Sequence, residues 1–143
     1  MIKIKKKINF KDKRGLIIDL IEKTNINAIT YITQKKNSVR GNHYHKKTIQ
    51  WNYILSGKVI LVTKKKNKKK FQKIMKKGDL ILTEKNEQHA IKALSNSEML
   101  VFTKGPRGGK EYESDTYKLS EKLISKKIYN FSKFFKIYLN KGD

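Results

Sequence analysis

The sequence predicts an all-β domain, a sandwich or barrel, with a short helical tail. Three observations predict it. Short runs rich in Ile, Val, Thr and aromatic residues recur roughly every 8–12 residues with turn residues between them. A single proline, Pro106, and the absence of a Ser/Gly/Pro-rich linker leave no domain boundary. From Ser120 onward the apolar spacing changes from two to three and four, the period of a helix.

The elements follow in order. Leu16 to Ile21 is apolar and β-rich. Ile26 to Thr33 alternates, with Ile26, Ala28, Thr30 and Ile32 on one face and Asn27, Ile29, Tyr31 and Thr33 on the other. Trp51 to Leu55 and Lys58 to Thr63 are strands joined by Ser56-Gly57. Lys64 to Lys70 is a lysine-rich hairpin turn with Asn67 near its tip, leading into Phe71 to Met75. Gly78-Asp79 opens Leu80 to Thr83, and His89 to Leu94 and Glu98 to Thr103 flank a turn at Ser95-Asn96-Ser97. Residues 1–119 are expected to form the barrel. Residues 120–143, with Leu123, Ile124, Ile128, Phe131, Phe134, Phe135, Tyr138 and Leu139, are expected to form a helical extension packed on the barrel or on a partner subunit.

Composition narrows the function classes. The 143 residues fit one core, and there is no run of 18 apolar residues and no apolar segment after the basic Met1 to Lys7. No membrane insertion, no signal peptide and a cytoplasmic location are expected. The absence of cysteine excludes disulfides, thiolate metal sites and a Cys nucleophile. The formal charge of +23 invites a nucleic-acid reading, but the basic residues are 32 Lys and only 3 Arg. Phosphate and base readers lean on the planar fork of Arg. Ile and Asn are abundant too, as A/T-rich codon usage would produce, so the lysines read as a solvated surface and no specific nucleic-acid binding is expected. The charge still favours anionic ligands such as a nucleotide diphosphate.

The chemistry-bearing residues lie in two segments, Asn37 to Gly57 and Gly78 to His89. His43 and His45 are two apart, so on a strand both face one side and Tyr44 the other. Gln50 joins that side only if Lys46-Lys47-Thr48 turns the chain. His89, the third and last histidine, opens a later strand. Three imidazoles gathered this way suit a divalent metal or acid–base chemistry near neutral pH.

These segments resemble the two cupin motifs, G-x5-H-x-H-x4-E-x6-G and G-x5-P-x-G-x2-H-x3-N. His43, His45, Gly57, Gly78 and His89 match. Asn37 and Asn86 stand at Gly positions, Gln50 at the Glu position, Glu84 at the Pro position and Ala93 at the final Asn position. Asn is the residue after Gly that best tolerates a left-handed backbone. The resemblance implies a cupin, a double-stranded β-helix or jelly-roll barrel of the RmlC-like kind. Arg40 to Lys46 with Gln50, and Asp12 to Leu16 upstream, are similar to segments of the nucleotide-sugar 3,4-ketoisomerases, which act on dTDP-4-keto-6-deoxyhexoses. Small cupins of surface-polysaccharide and lipopolysaccharide clusters look similar at Arg40 to His45 and at Gly105 to Gly109.

That resemblance implies a base that removes the acidified proton beside a sugar ketone, then returns it elsewhere (isomerase) or to the opposite face (epimerase). By position His43 is the base, with a pKa near 7. His45 orients it or shuttles the proton, and Tyr31 is a candidate proton donor. Arg40, Gln50, Arg14, His89 and Lys46 are candidate substrate-binding residues. All three Arg precede Gly, a placement that suits a phosphate fork but also marks turns. The ligand is expected to be a nucleotide-diphosphate sugar, the protein a homodimer, and no cofactor is required. Two alternatives stay open: a divalent-metal cupin with His43, His45, Gln50 and His89 holding Zn, Fe or Mn, and a non-catalytic sugar-binding module.

Overall fold

The computed structural model describes residues 1–125. The strands are β1 (Ile2–Lys3), β2 (Ile8–Asp12), β3 (Gly15–Ile18), β4 (Ala28–Gln34), β5 (Val39–Tyr44), β6 (Ile49–Ser56), β7 (Lys58–Lys64), β8 (Phe71–Lys76), β9 (Leu80–Thr83), β10 (Gln88–Ala93), β11 (Ser97–Lys104) and β12 (Tyr117–Lys118). One 3-10 turn, Gly109–Glu111, precedes β12. Every pairing is antiparallel. One sheet has the order β1-β9-β6-β11-β4 and the other β12-β5-β10-β7-β8, while β2 and β3 pair only with each other.

The two sheets share a core. Ile54, Ile81, Met99 and Val101 of the first pack with Val59, Leu61 and Met75 of the second, all buried. Each such side chain contributes about 1.5–3 kcal/mol of burial. The strand β7 is apolar on both faces, from Val59 to Val62. Its outer face is covered by Leu123 and Ile124, which pack with Val62 and Ala90. Asn42 pins that cover: its Oδ1 accepts from the N–H of Leu123 (2.8 Å) and Ile124 (3.1 Å), and its Nδ2 donates to the Ile124 carbonyl (3.0 Å).

The lysine-rich turn sits where expected, between β7 and β8, with Asn67 at φ 60°. Asn37 and Asn86 are left-handed, at φ 71° and 62°, which explains how they replace glycine. Two expectations differ. The run from Leu16 stops as a strand at Ile18 and pairs with β2, which the sequence reading did not single out although Ile8-Asn9-Phe10-Lys11 alternates. Residues 120–125 contain no helix, and the rest of the expected helical tail lies outside the described residues. No helix among the described residues is long and apolar enough to cross a membrane.

Candidate functional site

The sandwich is hollow next to the apolar core, whose Met99 and Val101 also face the hollow. A cavity of about 570 Å³ lies there, bordered by β4, β5, β6, β10 and β11 and by the loop after β11. The three histidines meet in it. His43 ends the inward side of β5 and is paired in register with His89 at the start of β10. His45 follows just after β5. Ring centroids are 4.9 Å apart for His43–His45, 4.6 Å for His43–His89 and 5.2 Å for His45–His89. One ring nitrogen from each lies within 4.8 Å of the others. Tyr44 points to the opposite face, where its ring stacks on Tyr117. Close approach of the strands is needed for this. Gly41 has φ 89°, and a Cβ there would lie 2.9 Å from the His89 carbonyl oxygen.

Backbone carbonyls fix the tautomers. The His45 Nδ1–H donates to the Asp115 carbonyl (2.9 Å), and the His89 Nδ1–H donates to the Glu87 carbonyl (3.0 Å). A carbonyl only accepts, so each Nδ1 carries the hydrogen, and in the neutral ring the lone pair is left on Nε2. The His45 Nε2 is buried with no partner among the described residues. Burial, the charges of His45 and Arg107 in that order, push His43 down to about 4. Burial, then His43 and His45, push His89 down to about 3. The sequence-based expectation of a base near 7 at His43 is therefore corrected: His43 and His89 are both held neutral near pH 7.

Two buried acids build the scaffold behind the rings. Asp115 accepts from the backbone N–H of Lys46 (3.1 Å) and Lys47 (2.8 Å) and from the Thr48 hydroxyl (2.7 Å). Burial works to raise its carboxyl, but these hydrogen bonds outweigh it and hold the group below its ordinary value. The same contacts shape the turn that brings Gln50 inward, resolving its opposite parity. Glu87 accepts from the Glu84 N–H (3.0 Å) and pairs with the Met1 amino group.

Of the expected site residues, His43, His45, His89, Gln50 and Arg40 line the cavity. Three others are not brought to the histidines within one chain. Tyr31 borders the cavity only as part of β4. Its side chain follows the exposed parity of that strand, is 55% exposed, and donates its hydroxyl to Glu98, which raises its pKa. Arg14 sits at the β2–β3 turn and forks onto Asp12 at 2.6 and 3.0 Å. Lys46 points away, its Nζ 4.3 Å from the centre of the Tyr117 ring. Sequence reasoning did not place Arg107, Asn52 and Gln34, which line the cavity, nor Asp115 and Glu87 behind it. Arg107 was signalled only as an Arg-Gly pair.

Two antiparallel sheets closing on a three-histidine pocket give the chain the fold of the RmlC-like cupins. More narrowly, the chain belongs to the family described as the polysaccharide biosynthesis C-terminal domain, whose model matches residues 10–117. No curated protein matches it in sequence. Among solved structures it is similar to QdtA, a sugar 3,4-ketoisomerase from Thermoanaerobacterium thermosaccharolyticum in complex with TDP, with a TM-score of 0.62 and 23% identity over 83% of this chain and 86% of that one. The TDP-quinovose 3,4-ketoisomerase WlaRB from Campylobacter jejuni has a TM-score of 0.62 and 22% identity over 72% and 84% of the two chains. The capsular polysaccharide assembling protein CapF from Staphylococcus aureus has a TM-score of 0.57 and 19% identity. That match covers 82% of this chain but 35% of CapF, so the chain spans about a third of that protein.

Proposed function

We propose that the protein is a nucleotide-sugar isomerase or epimerase that moves a proton beside the ketone of a 4-keto-6-deoxyhexose nucleotide in surface-polysaccharide biosynthesis. One observation carries the reading: three imidazoles, two of them held with Nδ1–H on backbone carbonyls, face a cavity whose rim holds Arg40 and Arg107 and whose walls hold the uncharged amides of Gln50 and Asn52. Guanidinium groups fork onto a diphosphate. Amides bind hydroxyls and a ketone oxygen without a charge of their own. Membership in a polysaccharide-biosynthesis family and the fold shared with two sugar ketoisomerases support the same assignment.

In this reading His43 accepts the proton on C3. The C–H electron pair becomes the enolate π-bond and the ketone π-pair moves to oxygen. A donor such as the Gln50 N–H stabilises that oxygen as charge develops. Isomerisation moves the C3 hydroxyl proton to the former ketone oxygen and returns a proton to C4, leaving the carbonyl at C3. Epimerisation returns the proton to the opposite face of the original carbon. The low pKa of His43 keeps it ready to accept at neutral pH, and the anionic substrate and enolate raise it in the complex. The test is nuclear magnetic resonance of dTDP- and UDP-4-keto-6-deoxyhexoses incubated with the protein. The carbonyl should move to C3, or a carbon should invert. Unchanged spectra with every such sugar refute the reading.

A specific observation favours a second occupant, a divalent cation. The buried, unpartnered His45 Nε2 and the two carbonyl-held Nδ1–H groups form the outer support typical of metal-binding imidazoles. His43, His45, His89 and Gln50 would hold zinc, iron or manganese, although Gln is a weaker ligand than a carboxylate. A bound ion would supply Lewis-acid polarisation of the ketone. Metal content after purification without added metal tests this: one equivalent that His89→Ala removes supports it, and metal-free protein with unchanged sugar conversion opposes it.

A further inference from the structure

Arg40 and His43 are three residues apart on β5, yet both border the cavity. In a regular strand that odd spacing sends two side chains to opposite faces. The cross-strand register explains why these two share one. Arg40 lies opposite Ile91, Gly41 opposite Ala90 and His43 opposite His89. His89 and Ala90 are consecutive, but their partners His43 and Gly41 are two apart, and Asn42 between them has no partner on β10. Asn42 is therefore the extra residue of a β-bulge, a device that re-aims the side chains beyond it. The bulge resets the alternation. Ile91 and His89 border the cavity, and so do Arg40 and His43 opposite them. Ala90 packs on the outer face with Leu123 and Ile124, and Tyr44 stacks there on Tyr117.

This bulge is locked from outside. Gly41 and Asn42 are both left-handed, at φ 89° and 57°. The Asn42 carbonyl accepts from the Leu119 N–H (2.9 Å). Its side chain accepts from the N–H groups of Leu123 and Ile124 and donates to the Ile124 carbonyl. The strand β12 brings this segment alongside, with Tyr117 paired to Tyr44 and Lys118 to His43. A one-residue slip of the bulge breaks all of these bonds and turns side chains of β5 to the other face. We propose that Asn42 is a positioning residue: held by segment 119–124, it fixes the bulge that sets Arg40 and His43 on one face of the cavity. The holding segment lies beyond residues 10–117, which the family model matches, so the lock is read from this chain alone. Only the activity arm of the test rests on the nucleotide-sugar reading above.

Two variants of the full chain test it. Asn42→Gly keeps the left-handed backbone and removes the side-chain bonds. In protein still folded it should lower kcat for a 4-keto-6-deoxyhexose nucleotide roughly tenfold or more, because a base displaced by a fraction of an ångström loses its alignment. It should also weaken binding of dTDP alone roughly fivefold, because Arg40 shifts with His43. Asn42→Asp should hold both within about threefold of the parent, since a carboxylate accepts the same two N–H groups. A role in stability alone lowers the melting temperature of Asn42→Gly and leaves kcat and dTDP binding at parent values, and that result overturns the proposal. Nuclear magnetic resonance reads the register without substrate. Cross-strand contacts between the His43 and His89 backbones should persist in Asn42→Asp and weaken in Asn42→Gly. A parent that neither converts a sugar nor binds dTDP defeats the nucleotide-sugar reading; the register contacts then decide the positioning role, and unchanged contacts in Asn42→Gly overturn it. Hydrogen exchange in the parent covers a variant that fails to fold. The Leu123 and Ile124 amides should open together with β5. Fast exchange at 123–124 beside a protected β5 also overturns the proposal.

Discussion

Asp115→Ala should disable the site without touching a residue that meets the substrate. The carboxylate holds three donors: the N–H groups of Lys46 and Lys47 and the hydroxyl of Thr48. Hydrogen bonds to a charged group are worth about 1.5–3 kcal/mol each, but the two lysines are exposed and water replaces part of that loss. Thr48 is buried and cannot be compensated so easily. The net cost is about 3 kcal/mol, which lowers the melting temperature by roughly 10 °C for a chain of this size. The local effect is larger in consequence. The carbonyl that sets the His45 tautomer belongs to the same residue, and the turn over 46–48 aims Gln50 inward. Differential scanning calorimetry and sugar conversion below the melting point measure the two effects separately. Conversion should fall at least tenfold in protein that is still folded. A variant that melts within 2 °C of the parent and converts sugar at the parent rate would refute the argument that Asp115 positions the site.

The remaining predictions concern the histidines, the strand crossing and the cavity rim. His43 and His89 have folded pKa values of about 4 and about 3, below the ordinary 6.5. The unfolded chain therefore binds protons that the fold refuses. Stability is full above pH 6.5 and falls as pH drops towards about 4, by on the order of 2–3 kcal/mol per histidine. A melting temperature that stays flat between pH 6.5 and 4.5 contradicts this. Gly41→Ala, with φ 89° and the His89 carbonyl 2.9 Å from the new Cβ, should cost about 2–3 kcal/mol in a denaturant titration. Arg107→Ala should raise KM for the nucleotide sugar roughly tenfold, the equivalent of about 1.4 kcal/mol. It should also move the His43 titration upward in a proton resonance experiment, because a repelling cation is gone.

The sandwich was legible because its strands are half buried. The alternation in Ile26 to Thr33 and the apolar run of β7 each state a face or two faces that must leave water. The hairpin strand β2 was not read: Ile8-Asn9-Phe10-Lys11 alternates, but the alternation spans only four residues and all five residues of the strand are exposed, so no buried face stands behind it. The alternation of β4 was visible, but both faces carry Ile, so the sequence did not say that Tyr31 faces outward. His43 and His45 share a face by spacing alone; that His89 joins them rested on the cupin motifs. Asp115 and Glu87 left no signal, because they reach the histidines through backbone carbonyls that every residue has. The pKa of His43 depends on burial, on the His45 ring and on Arg107, quantities that appear only once the sheets close.

The central claim is that the histidine cavity removes a proton beside a sugar ketone. Deuterium exchange tests it without requiring net conversion. A 4-keto-6-deoxyhexose nucleotide incubated with the protein in deuterated water should gain deuterium at C3, or at C3 and C5, and His43→Ala should abolish that gain while retaining the parent's circular dichroism. No deuterium at either carbon with any 4-keto sugar nucleotide, or full exchange by His43→Ala, would contradict it.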